Sequence, residues 1–239
     1  MTSILRFLKL TRRLSSIERC SNTPHIKNSN VAEHSFYTAL LAMLFADLEN
    51  DRIMTETMRD HNIEVDSELF LELFKEPEIR NKMYDTSEVI KRALLHDLEE
   101  SITGDILYPL KNENKTMKPL LKSIISKIVN DELFEDIPAE RVRNYYVGLW
   151  RKSKDETKEG RLVAAADKFE ILLYAISEIE LGNMGFYAIY NKALSILHKE
   201  FSDIECIHDI VNWMYENPIA GVKSIRGGKL VKEEYVQTA

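Results

Sequence analysis

Apolar residues recur at i, i+3 and i+4 along almost the whole chain, the period of one buried helix face. Ile4, Leu8 and Leu14 mark a short amphipathic opening segment. A polar, turn-rich stretch follows over residues 20–30, with Asn22, Pro24, Asn28 and Asn30. The pattern then predicts a helix over 31–48, with Phe36, Ala39, Leu40, Ala42, Met43 and Phe45 forming a broad apolar face. Residues 49–85 are more charged and weakly periodic, and read as an insertion outside the core containing a short helix over 67–74. A helix beginning near Ser87 and ending before Gly104 carries the run Leu94-Leu95-His96-Asp97-Leu98-Glu99-Glu100. Residues 109–115 read as a loop and a candidate lid. Further helices are expected over 119–133, 138–150, 162–179, 185–201 and 204–215, with a charged linker over 151–160 and a polar tail containing Gly227-Gly228. With 8 Gly and 6 Pro in 239 residues there is little room for hairpins, so the expected class is all-α.

Composition narrows the partners. The length suits one domain, or one domain with appendages, and 44% hydrophobic residues supply a sizeable core. A net charge of -7 argues against general electrostatic binding of nucleic acid, though not against a nucleotide in a local cationic pocket. Cys20 and Cys206 stand far apart, which suggests no disulfide framework and fits a reducing, cytoplasmic setting. Residues 1–14 mix apolar positions with Arg6, Lys9, Arg12 and Arg13 and lack the apolar core of a signal peptide. No apolar run approaches the length of a membrane span, so no membrane partner is expected.

Four polar interruptions change the picture. His34 opens a core-type helix, His96 and Asp97 end an apolar run, and Asp167 sits inside Leu162-Val163-Ala164-Ala165-Ala166-Asp167-Lys168-Phe169. Each alone has an ordinary explanation: a cap, a solvated border, a salt bridge to Lys168. Together they lie on different predicted helices, and facing helices of a bundle can project such residues into one core site. Two imidazoles and two carboxylates suit a divalent ion and leave positions open for water and substrate. On a continuous helix Glu100 would share one side with His96 and Asp97, at i+4 and i+3.

In order and context these residues resemble the HD-domain metal-dependent phosphohydrolases, and more narrowly their 5′-deoxynucleotidase branch. The stretch Asn30-Val31-Ala32-Glu33-His34-Ser35 is similar to the branch's first-histidine motif. The stretch His96-Asp97-Leu98-Glu99-Glu100-Ser101-Ile102-Thr103-Gly104-Asp105 is similar to its His-Asp motif, and Ala165-Ala166-Asp167-Lys168 to its last-ligand helix. The resemblance covers roughly residues 1–215, leaving 216–239 as a tail. It implies a helical bundle with one divalent ion (Mn, Co, Zn, Fe or Mg) on His34, His96, Asp97 and Asp167. Glu100 would serve as general base or acid, and Asp105 would assist the water or contact the sugar. Arg19 would hold the phosphate with help from Thr103 and Lys27, and a homodimer is implied. Two departures are visible: the insertion exceeds what compact members need, and Cys20 stands where the bacterial enzyme has an aromatic residue.

The expected activity is hydrolysis of nucleoside 5′-monophosphates, preferably deoxy forms, to nucleoside and phosphate. Two rivals stay open. One is a triphosphate or other phosphoanhydride hydrolase of the same fold, which would need further cations, such as Lys111, Lys115 and Lys118. The other is a non-catalytic nucleotide-binding protein, which would have no use for Glu100.

Overall fold

The computed structural model describes residues 2–62, 72, 73, 75–106 and 116–218, with the backbone of 225, 226, 229 and 230; described side chains begin at Ile4. The elements are α1 (Thr2–Arg13), α2 (Val31–His61), α3 (Pro77–Lys82), α4 (Thr86–Leu95), α5 (Glu100–Thr103), α6 (Met117–Ile128), α7 (Glu140–Arg151), α8 (Lys158–Glu180), α9 (Tyr187–Glu200) and α10 (Glu205–Glu216). The all-α expectation holds. A two-residue antiparallel pair, β1 (Ile225–Arg226) with β2 (Lys229–Leu230), lies in the expected tail. The helix expected over 67–74 and the lid expected over 109–115 fall largely or wholly outside the described residues.

Helix starts follow local chemistry. The Asn30 side chain accepts from the Glu33 N–H at 3.0 Å to open α2, and Asp85 accepts from the Glu88 N–H at 2.9 Å to open α4. Thr157 does the same for Gly160 at α8. A Cβ at Gly160 would collide with the Asp155 backbone, so only glycine lets the 152–157 loop close onto the helix.

Three expectations need correction. The helix predicted to stop at residue 48 runs on to His61 and ends at Asn62, a left-handed cap with φ 52°. Residues 49–61 therefore continue α2 rather than begin an insertion, and Glu49 is still in the core, where it accepts from the Cys206 N–H at 2.7 Å. The charge that weakened the periodicity is partly paired along the helix, with Arg52 bonded to buried Glu49 and to exposed Glu56. Second, the apolar face of α2 is split. Ala39, Ala42, Phe45 and Ala46 point inward, whereas Phe36, Leu40, Leu44 and Leu48 line an exposed stripe.

Third, the helix expected to reach residue 103 stops at Leu95. Residues 96–99 form a tight turn, closed by Leu98 N–H to Leu95 O and Glu100 N–H to Asp97 O, each 3.1 Å. The His96 Nδ1–H donates to the Ala93 carbonyl at 2.6 Å, competing for the acceptor that a continuing helix would use.

Two apolar clusters result. One joins α2, α4, α8, α9 and α10 through residues such as Ala42, Val89, Leu162, Leu194 and Ile207. The other joins α1, α6 and α7 through Phe7, Ile125 and the partly buried Tyr146 and Trp150, packed on Val31, Leu98, Val129 and Phe134. Val31 belongs to the second cluster and Ala39 to the first, with His34 between them. Ala93 and Leu98 bracket His96 and Asp97 in the same way. The polar site thus lies at the seam between two apolar packings.

Candidate metal centre

The seam gathers four side chains from three elements. One ligand atom from each of His34, His96, Asp97 and Asp167 lies within 4.8 Å of all the others, and all four residues are buried. His34 Nε2 is 3.1 Å from Asp167 Oδ1 and 3.5 Å from Asp97 Oδ2. His96 Nε2 is 3.0 Å from Asp97 Oδ2 and 3.1 Å from His34 Nε2. The His96 Nδ1–H is committed to Ala93 O, and the His34 Nδ1–H to Glu170 Oε2 at 2.5 Å. Both rings in neutral form therefore present Nε2 lone pairs toward each other and toward two carboxylate oxygens.

Four electron-rich atoms so close require a proton or a cation among them. The titration of His34 expresses the same demand. Burial and the Arg19 charge oppose its protonation, but the hydrogen bonds it donates to Asp167, Asp97 and Glu170 outweigh them and push its pKa up to about 9. His96 moves the other way, chiefly through burial. Asp167 is held well below the usual carboxylate range: burial opposes, and Lys154, Lys168 and His34 prevail. The donor set fits a divalent ion of borderline character, with His nitrogens fixed by partners on the far side of each ring.

Glu170 was not foreseen from the sequence. It stands one turn after Asp167, bonds His34 Nδ1 and accepts from Arg19 Nη1 at 3.0 Å. The signal available was a second carboxylate, at i+3 from Asp167, in the same apolar helix. The stripe continues: Tyr174 Oη donates to Lys27 O at 2.6 Å, and Glu178 accepts from the Ile26 and Lys27 N–H groups at 2.8 and 2.7 Å. These residues hold the 17–31 segment against α8. Its ends are tied together by Arg19 N–H to Ser29 O (2.9 Å) and Val31 N–H to Ile17 O (3.0 Å). Cys20, in the left-handed region at φ 54°, turns the chain there.

A cavity of about 540 Å³ opens on this centre. Arg19, Asp97, Glu100, Asp105, Lys154 and Asp167 line its polar end, and Ile171, Ile189, Ala193, Ile196 and Phe201 form an apolar wall between α8 and α9. Gly104, at φ 72° and ψ 171°, a conformation only glycine adopts readily, precedes Asp105. Glu100 reaches the centre differently from the expected shared helix face: it opens α5 after the turn, and one oxygen each of Asp97, Glu99 and Glu100 lie within 4.8 Å of one another. Thr103 and Lys27 do not line the cavity. The Thr103 hydroxyl donates to Gly104 O at 2.9 Å, and Lys27 contributes backbone groups to the Glu178 and Tyr174 contacts.

A model of the 5′-deoxynucleotidase YfbR-like family matches residues 6–66 and 53–214. The chain belongs to this family. It is 27% identical over 174 residues to a 5′-deoxynucleotidase of Enterobacter sp. (strain 638), covering 73% of each chain. It is 26% identical over 194 residues to one from Pectobacterium atrosepticum, covering 80% of this chain and 83% of the other. In fold it matches an HD-domain phosphohydrolase from Listeria innocua with TM-score 0.63 at 24% identity, covering 90% of this chain and 87% of that one. The cyanophage S-2L HD phosphohydrolase DatZ, bound to dA and one catalytic Zn²⁺, matches with TM-score 0.52 at 18% identity over 87% and 93%. The resemblance read from the motifs is borne out. This YfbR-like family member is a phosphoric monoester hydrolase of nucleoside 5′-monophosphates, with a site suited to a divalent metal. Among the described residues no helix is long and apolar enough to cross a membrane.

Proposed function

We propose that the chain hydrolyses deoxynucleoside 5′-monophosphates to nucleoside and orthophosphate, using one divalent ion held by His34, His96, Asp97 and Asp167. The observation that carries this reading is the convergence of these four ligand atoms beside a cavity containing Arg19 and Glu100. When bound, such an ion supplies Lewis-acid polarisation of the phosphoryl oxygen and a lowered pKa for water. Glu100 takes a proton from the attacking water onto its carboxylate and returns it to the departing 5′-oxygen. Arg19, half-buried and oriented by Glu170, offers a planar fork to two phosphate oxygens. Asp105 assists at the mouth of the site. The nucleoside packs on the apolar wall of α8 and α9, which offers little to read a base edge, so base tolerance is expected. The metal is one of Mn, Co, Zn, Fe or Mg, since the donor set accepts each with different affinity.

We take residues 1–215 as the HD domain and 216–239 as a tail. The homodimer is proposed on the α2 stripe of Phe36, Leu40, Leu44 and Leu48, whose i, i+4 spacing gives a seam that a second copy can match. Light scattering on Leu40→Glu tests it: a dimer should become a monomer. A cytoplasmic setting suits the two free thiols.

The reaction is tested with metal-stripped protein and a panel of deoxy- and ribonucleoside mono-, di- and triphosphates, restoring each metal in turn. Orthophosphate release from deoxynucleoside monophosphates, abolished by chelator, is expected. Turnover of triphosphates with monophosphates untouched would move the assignment to a phosphoanhydride hydrolase.

A further inference from the structure

Lys154 belongs to none of the motifs that identify the family, and the charged linker that holds it gives no sign of function in the sequence. Its Nζ lies 2.8 Å from Asp167 Oδ2 and 3.8 Å from Asp97 Oδ1. These are the oxygens not engaged with the histidine nitrogens on two metal-site carboxylates, and all three residues line the cavity. Lys168 also contacts Asp167 Oδ2 at 2.8 Å, but as a sequence neighbour on the same helix. Lys154 instead spans carboxylates from two separate elements.

The loop that delivers it is built for position. Arg92, a buried residue of α4 one turn before His96, donates to Lys152 O (3.0 Å), Asp155 Oδ1 (3.2 Å) and Thr157 Oγ1 (2.9 Å), and pairs with Glu88. Gly160 then permits the loop to lie directly on α8. The helix that leads into the His-Asp turn thereby fixes the loop that brings Lys154 over the same carboxylates. An ordinary surface counter-ion needs no such buried staple, because an exposed ion pair contributes little.

We propose that Lys154 is a catalytic phosphate-binding residue, a second cation that closes on the substrate phosphate from the opposite element to Arg19. With the carboxylates committed to a divalent ion, their hold on the ammonium weakens, and a phosphate dianion in the cavity becomes its better partner. The compact charge of a lysine can follow the phosphate as negative charge shifts during transfer, while the Arg19 fork holds it in register. This inference rests on the nucleotidase reading, so the test carries a binding measurement that does not depend on turnover.

The experiment compares metal-loaded wild type, Lys154→Met and Lys154→Arg. It measures kcat and KM with a deoxynucleoside 5′-monophosphate, calorimetric affinity for inorganic phosphate, and affinity for Co²⁺. Lys154→Met should lose about 10²-fold in kcat/KM. It should also bind phosphate about tenfold more weakly and bind Co²⁺ no less tightly than wild type. Lys154→Arg should recover most of both losses. Unchanged kcat/KM and phosphate affinity in Lys154→Met would overturn the proposal and leave Lys154 a counter-ion of the carboxylates. A fall in Co²⁺ affinity would also overturn it, because the lysine would then be shaping the ligands. If no monophosphate is hydrolysed by wild type, the nucleotidase reading fails by itself, and the phosphate calorimetry still decides the role of Lys154.

Discussion

Helix α8 and the turn at residues 96–99 supply the same centre by opposite means. In α8 the chain stays regular for 23 residues, and Asp167, Glu170, Tyr174 and Glu178 emerge along one stripe of the helix. That stripe faces the centre at one end and the 17–31 segment along the rest. At the turn the helix is abandoned: His96 engages the carbonyl behind it, and Asp97, Glu99 and Glu100 crowd forward from a tight bend. Buried Glu99 is anchored by Trp150 Nε1 at 2.7 Å. A regular helix sets directions through its 3.6-residue period, which suits residues that orient other residues. An irregular turn can place adjacent side chains on one point, which suits groups that act on a substrate.

Three substitutions sharpen that contrast. The largest effect should come from the turn: Glu100→Gln should cost about 10³-fold in kcat while metal affinity persists, as expected for a proton carrier. Loss of metal together with activity would make Glu100 a ligand. On α8, Glu170→Ala removes the acceptor for the His34 Nδ1–H and the partner of Arg19. Metal affinity should fall about 10- to 100-fold, with a raised KM for the nucleotide. Calorimetry showing wild-type affinities for both would reduce the stripe to packing.

The smallest effect on catalysis should come from the far end of that stripe. The Glu178 side chain is fully buried; burial favours its neutral form, but donors from Ile26, Asn183 and Lys27 prevail and hold its pKa below the ordinary value. A depressed carboxyl contributes stability that is fully present above the unfolded value, about 4.3, and is lost as pH falls through the folded value. Glu178→Gln should cost about 1–3 kcal/mol at neutral pH and flatten the acid limb of a stability–pH curve, with kcat little changed. An acid limb identical to wild type would contradict this.

The contrast also explains what could be read in advance. Asp167 was legible because a carboxylate directly after five apolar residues demands a partner, and His34 because it interrupts a core helix. Both lie in regular structure, where spacing maps directly onto space. The shared face assumed for His96, Asp97 and Glu100 was not, because it presumed a helix that a His96 side-chain bond ends at Leu95. Hydrophobicity alone could not divide the α2 residues between core and surface, since Phe36 and Phe45 look alike until neighbours are present. Glu170 was within reach of a stricter count of buried carboxylates. Lys154 was not, because its place depends on Arg92 gripping a loop some sixty residues away, and no local pattern encodes that contact.

On the proposed reading, His34, His96, Asp97 and Asp167 form one site for one divalent ion. This is tested most directly by titrating metal-free protein with Co²⁺ and following the ligand-field absorption in wild type and Asp167→Ala. One equivalent per chain in wild type, with binding lost or greatly weakened in the variant, is the predicted result. Equal Co²⁺ binding by both proteins, or none by either, would contradict the account.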